Sequence, residues 1–292
     1  MKRILTLLLL SLPLVAQERN PANYERYLIP VVAAEPLPGA YGSRWATTLY
    51  FRNDGDTPVD AFPLTPSCIS SAFCFQFVRA FPAFPPKITA FEPLPRVAPV
   101  TTTAGLSGRF LYIERDRAEQ LSMRAAVGDV SRTPPGSTEL PIVPESAFFN
   151  TTRSILGVAL LPATRVALRV YTADTRPGAS ITVRIHEMAP RLSNEGPFVE
   201  APRLLAERVF TFAYDAAEDR CGFNGCPENV RYVPATVQLT DLAATFPELA
   251  TMREQPYGVR VEIVPNTPEL RYYPIVTAAR DMDSFVSLYT VR

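Results

Sequence analysis

The chain is poor in the residues most enzymes use for chemistry: 292 residues hold one histidine, one tryptophan and four cysteines. A lone histidine, His186, leaves a histidine-rich metal site or a Ser-His-Asp triad little to draw on. No Gly-x-Ser-x-Gly elbow and no phosphate-cradling glycine loop is present. Neither sign of charge dominates, with 29 basic and 29 acidic residues. Arginines and acids alternate without forming a basic stripe, which argues against nucleic acid and anionic membrane as partners. Long helices are excluded as well, because 30 prolines interrupt the chain.

Long apolar runs are missing after the first 15 residues. The one such run, Ile4 to Val15, follows Lys2 and Arg3 and precedes the small residue Ala16. That is the layout of a secretory signal peptide cleaved before Gln17. The run is shorter than the roughly 20 residues that a membrane-spanning helix needs. The expected product is secreted or periplasmic, with no membrane insertion after cleavage. In an oxidising compartment the close pairs Cys68 with Cys74 and Cys221 with Cys226 read as two local disulfides. The rival readings are free thiols and a metal site using all four thiolates, and the latter lacks the two-residue spacing of zinc knuckles.

What the chain does have is alternation. Tyr27 to Val32 reads as a strand, Gly39 to Ser43 as a glycine turn, and Arg44 to Arg52 as a second strand starting at Trp45. Asp54-Gly55 then predicts a type I′ hairpin returning through Thr57 to Phe62. Phe73, Phe75 and Phe77 share one face of a strand, with Phe81, Phe84 and Phe91 following, and read as core ahead of a sugar-stacking platform. Gly108 to Glu114 and Leu121 to Val127 are further strands. The second half predicts strands at 155–160, 164–172, 179–187, 206–214, 233–239, 258–264, 270–277 and 285–291. A short helix begins near Asp241. Many short strands separated by turn signals predict an all-β protein.

The domain layout that follows is a signal peptide over 1–16, a polar leader over 17–24 and a first β-sandwich over 25–131. Pro134, Pro135 and Gly136 mark a linker over 132–139, and a second β-sandwich covers 140–292. The halves read as related. Gly108 and Ile113 recur as Gly258 and Ile263, an offset of 150, and the cysteine pairs recur at offsets of 153 and 152. Ile29-Pro30-Val31-Val32 is echoed by Leu140-Pro141-Ile142-Val143 at an offset of only 111, which requires an extra hairpin and loop around 189–203.

Candidate sites are few. Asp215, Glu218 and Asp219 cluster in a turn and form a weak calcium candidate, because closely spaced oxygen ligands suit that ion. Asp281 with Asp283, and Asn53 with Asp54 and Asp56, are weaker still, since acids in turns usually serve turn geometry. In Ile181 to His186 the isoleucines and Val183 take one face, leaving His186 with Arg184 on a solvent-facing polar one. No catalytic or cofactor-binding residue emerges.

Gly39-x-x-Gly42-Ser43-x-Trp45-x-Thr47-x-Leu49-x-x-x-Asn53, after a Pro-Val-Val strand, resembles a pattern in secreted bacterial proteins of uncharacterised function. Those are built from tandem immunoglobulin-like β-sandwich domains. Tyr273 to Asp281 is similar to the strand and acidic turn that close their second domain. The resemblance implies a fold and an extracellular location, and no activity. The expected function is therefore a non-enzymatic binding, adhesion or scaffolding module at the cell envelope, with a protein or glycan partner and no cofactor. The alternative is a secreted carbohydrate-active hydrolase or lyase on a β scaffold.

Overall fold

Residues 44–53 show how the chain builds its sheets. Trp45, Thr47, Leu49, Phe51 and Asn53 are buried while the intervening residues face outward, the period of two that a pleated strand imposes. The computed structural model describes residues 21–33, 36–59, 61–62, 87, 89–93, 107–132, 136–161, 163–188, 203–215, 233–252, 258–280 and 286–291. The expected signal peptide, all four cysteines, the row from Phe73 to Phe84, Glu218, Asp219, and the Asp281 and Asp283 pair lie outside the described residues.

Among the described residues, seventeen strands pair into four antiparallel sheets. In chain order the strands of the first half are β1 (Tyr24–Val32), β2 (Leu37–Pro38), β3 (Arg44–Asn53), β4 (Ala61–Phe62), β5 (Thr89–Pro93), β6 (Ser107–Glu114), β7 (Leu121–Asp129), β8 (Ser137–Leu140) and β9 (Val143–Pro144). The second half has β10 (Arg153–Val158), β11 (Thr164–Thr172), β12 (Ser180–Glu187), β13 (Leu204–Thr211), β14 (Ala235–Leu239), β15 (Val259–Pro265), β16 (Tyr272–Arg280) and β17 (Val286–Tyr289). A short helix, α1 (Leu242–Thr245), is capped by the Asp241 side chain, which accepts from the Ala243 amide. The chain continues past it as a 3-10 turn over Pro247–Met252.

The first sheet runs β4-β6-β1-β9 and the second β2-β3-β7-β8, with β5 also on β3. Between them lies a core that includes Ile29, Leu49, Phe51, Leu111, Ile113 and Ala125. The third sheet, β10-β15-β12-β13, and the fourth, β14-β11-β16-β17, enclose a second core with Ile155, Leu168, Val183, Val261, Ile263 and Val276. Each such large aliphatic side chain contributes roughly 1.5–3 kcal/mol by leaving water.

The two pairs repeat one strand order. β1-β6-β4 corresponds to β10-β15-β12, and β5-β3-β7-β8 to β14-β11-β16-β17. The extra strand of the second half is β13, directly after the 189–203 stretch. The correspondence extends to side chains. Asn53 ends β3 and Thr172 ends β11, both fully buried, and each accepts a hydrogen bond from the amide two residues on, of Gly55 and Asp174. This order of the described strands is not the immunoglobulin one, in which a four-stranded ABED sheet faces CFG.

Three expectations change. Asp54-Gly55 is no hairpin: β3 pairs with β7 and β5, while β4 pairs with β6 in the facing sheet. Neither residue has a positive φ. The Asn53 side chain instead closes a corner between sheets, donating to the Thr57 carbonyl at 2.7 Å and accepting from Gly55 at 2.9 Å. The segment expected as a linker over 132–139 supplies most of β8, which pairs with β7. Leu140 to Val143 does not open the second half either, since Val143 pairs with Leu28 of β1.

The fourth sheet is buried on both faces. Its second face carries Tyr171, Tyr273 and Ile275 into the core of the first half. Tyr171 is fully buried, and its hydroxyl donates to the Pro30 carbonyl. Phe148 bridges the halves, its ring 6.4 Å from Phe110 and 6.0 Å from Tyr273. Gly108 makes the contact close: a Cβ there would sit 2.9 Å from the Tyr171 ring.

Candidate functional site

A cleft of about 300 Å³ opens where the two halves meet, lined by Tyr24, Glu25, Arg26, Tyr112, Arg115, Glu145, Ser146 and Arg271. Tyr24 to Arg26 come from β1 and Tyr112 from β6, while Arg115 begins the 3-10 turn after β6. Glu145 and Ser146 follow β9, and Arg271 immediately precedes β16. Strand ends converge here because polar side chains at the ends of buried strands have only the rim to occupy.

Within the cleft one ion pair is closed, and the other charged side chains meet neutral groups. The Arg26 guanidinium meets Glu145 through two bonds, at 2.5 and 2.8 Å, and also lies over the Phe110 ring at 5.1 Å. Burial works against the Arg26 charge, but the Glu145 carboxylate outweighs it and raises the group above its ordinary value. Ser146 donates to Glu25. Arg271 Nη2 donates to the carbonyls of Glu145 at 2.8 Å and Ser146 at 3.0 Å, and so ties the second half to the first. Arg115 Nη2 donates to the Tyr24 carbonyl at 3.2 Å.

A second concavity, about 270 Å³, lies at the turn after β11 and is lined by Asp174, Thr175, Arg176, Pro177, Phe212, Tyr214 and Ala235. Arg176 closes it by gripping Asp174 and the Pro268 carbonyl. The Asp174 carboxyl is held below its usual range, chiefly by the hydrogen bond from Arg176.

The outer face of the third sheet carries a charge lattice. Glu262 lies 3.5 Å from Arg184, 3.5 Å from His186 and 3.4 Å from Arg260. His186 shares that face with Arg184, as the alternation predicts, yet it is not solvent-facing. It is 9% exposed, paired opposite Arg260 and Leu204 on the flanking strands. Neither ring nitrogen has a hydrogen-bond partner among the described residues.

Of the calcium candidate only Asp215 is described, exposed beyond β13, and its two expected partners lie outside the described residues. Among the described residues no group of three or more His, Cys, Asp or Glu side chains could hold a metal ion. Asn53 is a corner anchor, Asp54 pairs with Arg52 at 2.6 Å, and Asp56 pairs with Lys87 at 3.3 Å. Sequence reasoning misses the seam cleft because its members are far apart, Arg26 and Glu145 by 119 positions and Arg271 and Glu145 by 126. Compared with known proteins, the chain matches no family model, no curated protein and no solved structure.

Proposed function

We propose that the protein is an exported, non-enzymatic binding module of the cell envelope. On this reading it consists of two tandem β-sandwich domains behind a cleaved signal peptide, and the seam cleft receives its ligand. The observation that carries the reading is the cleft itself: a preformed concavity at a junction between packed units, with a few fixed polar groups, is where ligands bind most often. Its walls are held by backbone anchors and by a bidentate ion pair, so little has to be ordered on binding.

The test is retention of the purified, processed protein on envelope fractions of the source cell and on insoluble polysaccharides. The expected result is retention on one glycan or one defined protein, lost when the cleft is filled by Ser146→Trp at its exposed wall. Retention nowhere, or turnover of a polysaccharide into shorter products, would overturn it.

A further inference from the structure

The ligand class follows from what the seam cleft leaves uncommitted, an inference that rests on the binding reading above. Arg26 and Glu145 neutralise one another through two hydrogen bonds. That leaves the guanidiniums of Arg115 and Arg271 against the single carboxylate of Glu25. Among the described residues each of the two arginines is anchored through Nη2 alone, to backbone carbonyls that carry no net charge. Their Nε and Nη1 groups are therefore available as donors, and neither arginine is in an ion pair with a described residue. A guanidinium presents its donors as a planar fork that matches the oxygens of a carboxylate or of another oxyanion.

Glu25 completes the set. Held by Ser146, it remains an acceptor, which suits a hydroxyl and opposes an anion. A ligand that satisfies both sides of the cleft carries an acidic group and hydroxyl groups on one small frame. We infer that the cleft takes an acidic sugar residue of a polysaccharide. Its carboxylate or sulfate oxygens face Arg115 and Arg271, and its ring hydroxyls donate to Glu25.

The test is binding of the processed protein to polygalacturonate and to dextran sulfate. Fully methyl-esterified polygalacturonate and plain dextran are the uncharged counterparts. The expected result is tighter binding to one acidic polymer than to its uncharged counterpart, weakened about tenfold by Arg115→Gln, roughly the worth of one charge-assisted hydrogen bond. Which acidic polymer binds identifies carboxylate or sulfate. Arg115→Gln removes only one backbone contact, so the variant folds; Arg124→Gln, on the outer face of the second sheet, should leave binding unchanged. Equal binding to charged and uncharged polymers overturns the inference, as does equal weakening by Arg115→Gln and Arg124→Gln. If acidic polymers fail while a neutral glycan or a protein is retained, the acidic-sugar inference falls and the binding reading stands. If nothing is retained, both fall.

Discussion

Single buried polar residues carry unequal weight here. Asp129 is fully buried at the end of β7 and receives the amides of Arg44 and Ser131, the Ser131 hydroxyl and the Arg132 guanidinium. Burial alone would raise its carboxyl, but those donors outweigh it and hold the group below its usual range. The stability it contributes is full above the unfolded carboxyl's value of about 3.9 and is lost as pH falls through the lower folded value. Asp129→Ala should cost about 2 kcal/mol in urea unfolding at neutral pH, with the difference from the parent shrinking in acid. His186 is the opposite case, because its ring nitrogens are buried without hydrogen-bond partners among the described residues. Replacing it by leucine should leave stability unchanged or raise it by up to about 1 kcal/mol, measured by the same unfolding curves.

Strands are legible in the sequence and their partners are not. The alternation predicts a strand over 164–172, and β11 forms over Thr164–Thr172, since a period of two is a local property of the chain. Asp54-Gly55 carries a local hairpin signal too, yet the chain crosses to the facing sheet there. The Asn53 side chain and the nine-residue pairing of β3 with β7 decide the direction, and neither is visible in four turn residues. The repeated glycines mark equivalent strands, β6 and β15, with different duties. Gly258 has φ +69°, whereas Gly108 makes room for Tyr171. Gly108→Val should therefore cost about 1–3 kcal/mol by pressing on that ring, a loss that thermal unfolding would register. The cleft is illegible for a related reason: only the packing of one half on the other brings Arg271 to Glu145 and Ser146.

The four sheets form successive layers, with the first and fourth in contact through Phe110, Phe148, Tyr171, Tyr273 and Ile275. Aromatic side chains bury large areas, and all five of these residues are as buried as those of either core. The halves should accordingly unfold in a single calorimetric transition; two resolved transitions would mean that the layers are separable. The contacts across the seam bring the cleft's residues together from both halves. The most direct test of the account is amide hydrogen exchange of the processed protein with and without the envelope material it retains. Added protection confined to 24–26, 115, 145–146 and 271, drawn from both halves at once, is the expected result. Protection centred on the outer face of the third sheet around Arg184 and Val209, with the seam unchanged, would contradict it.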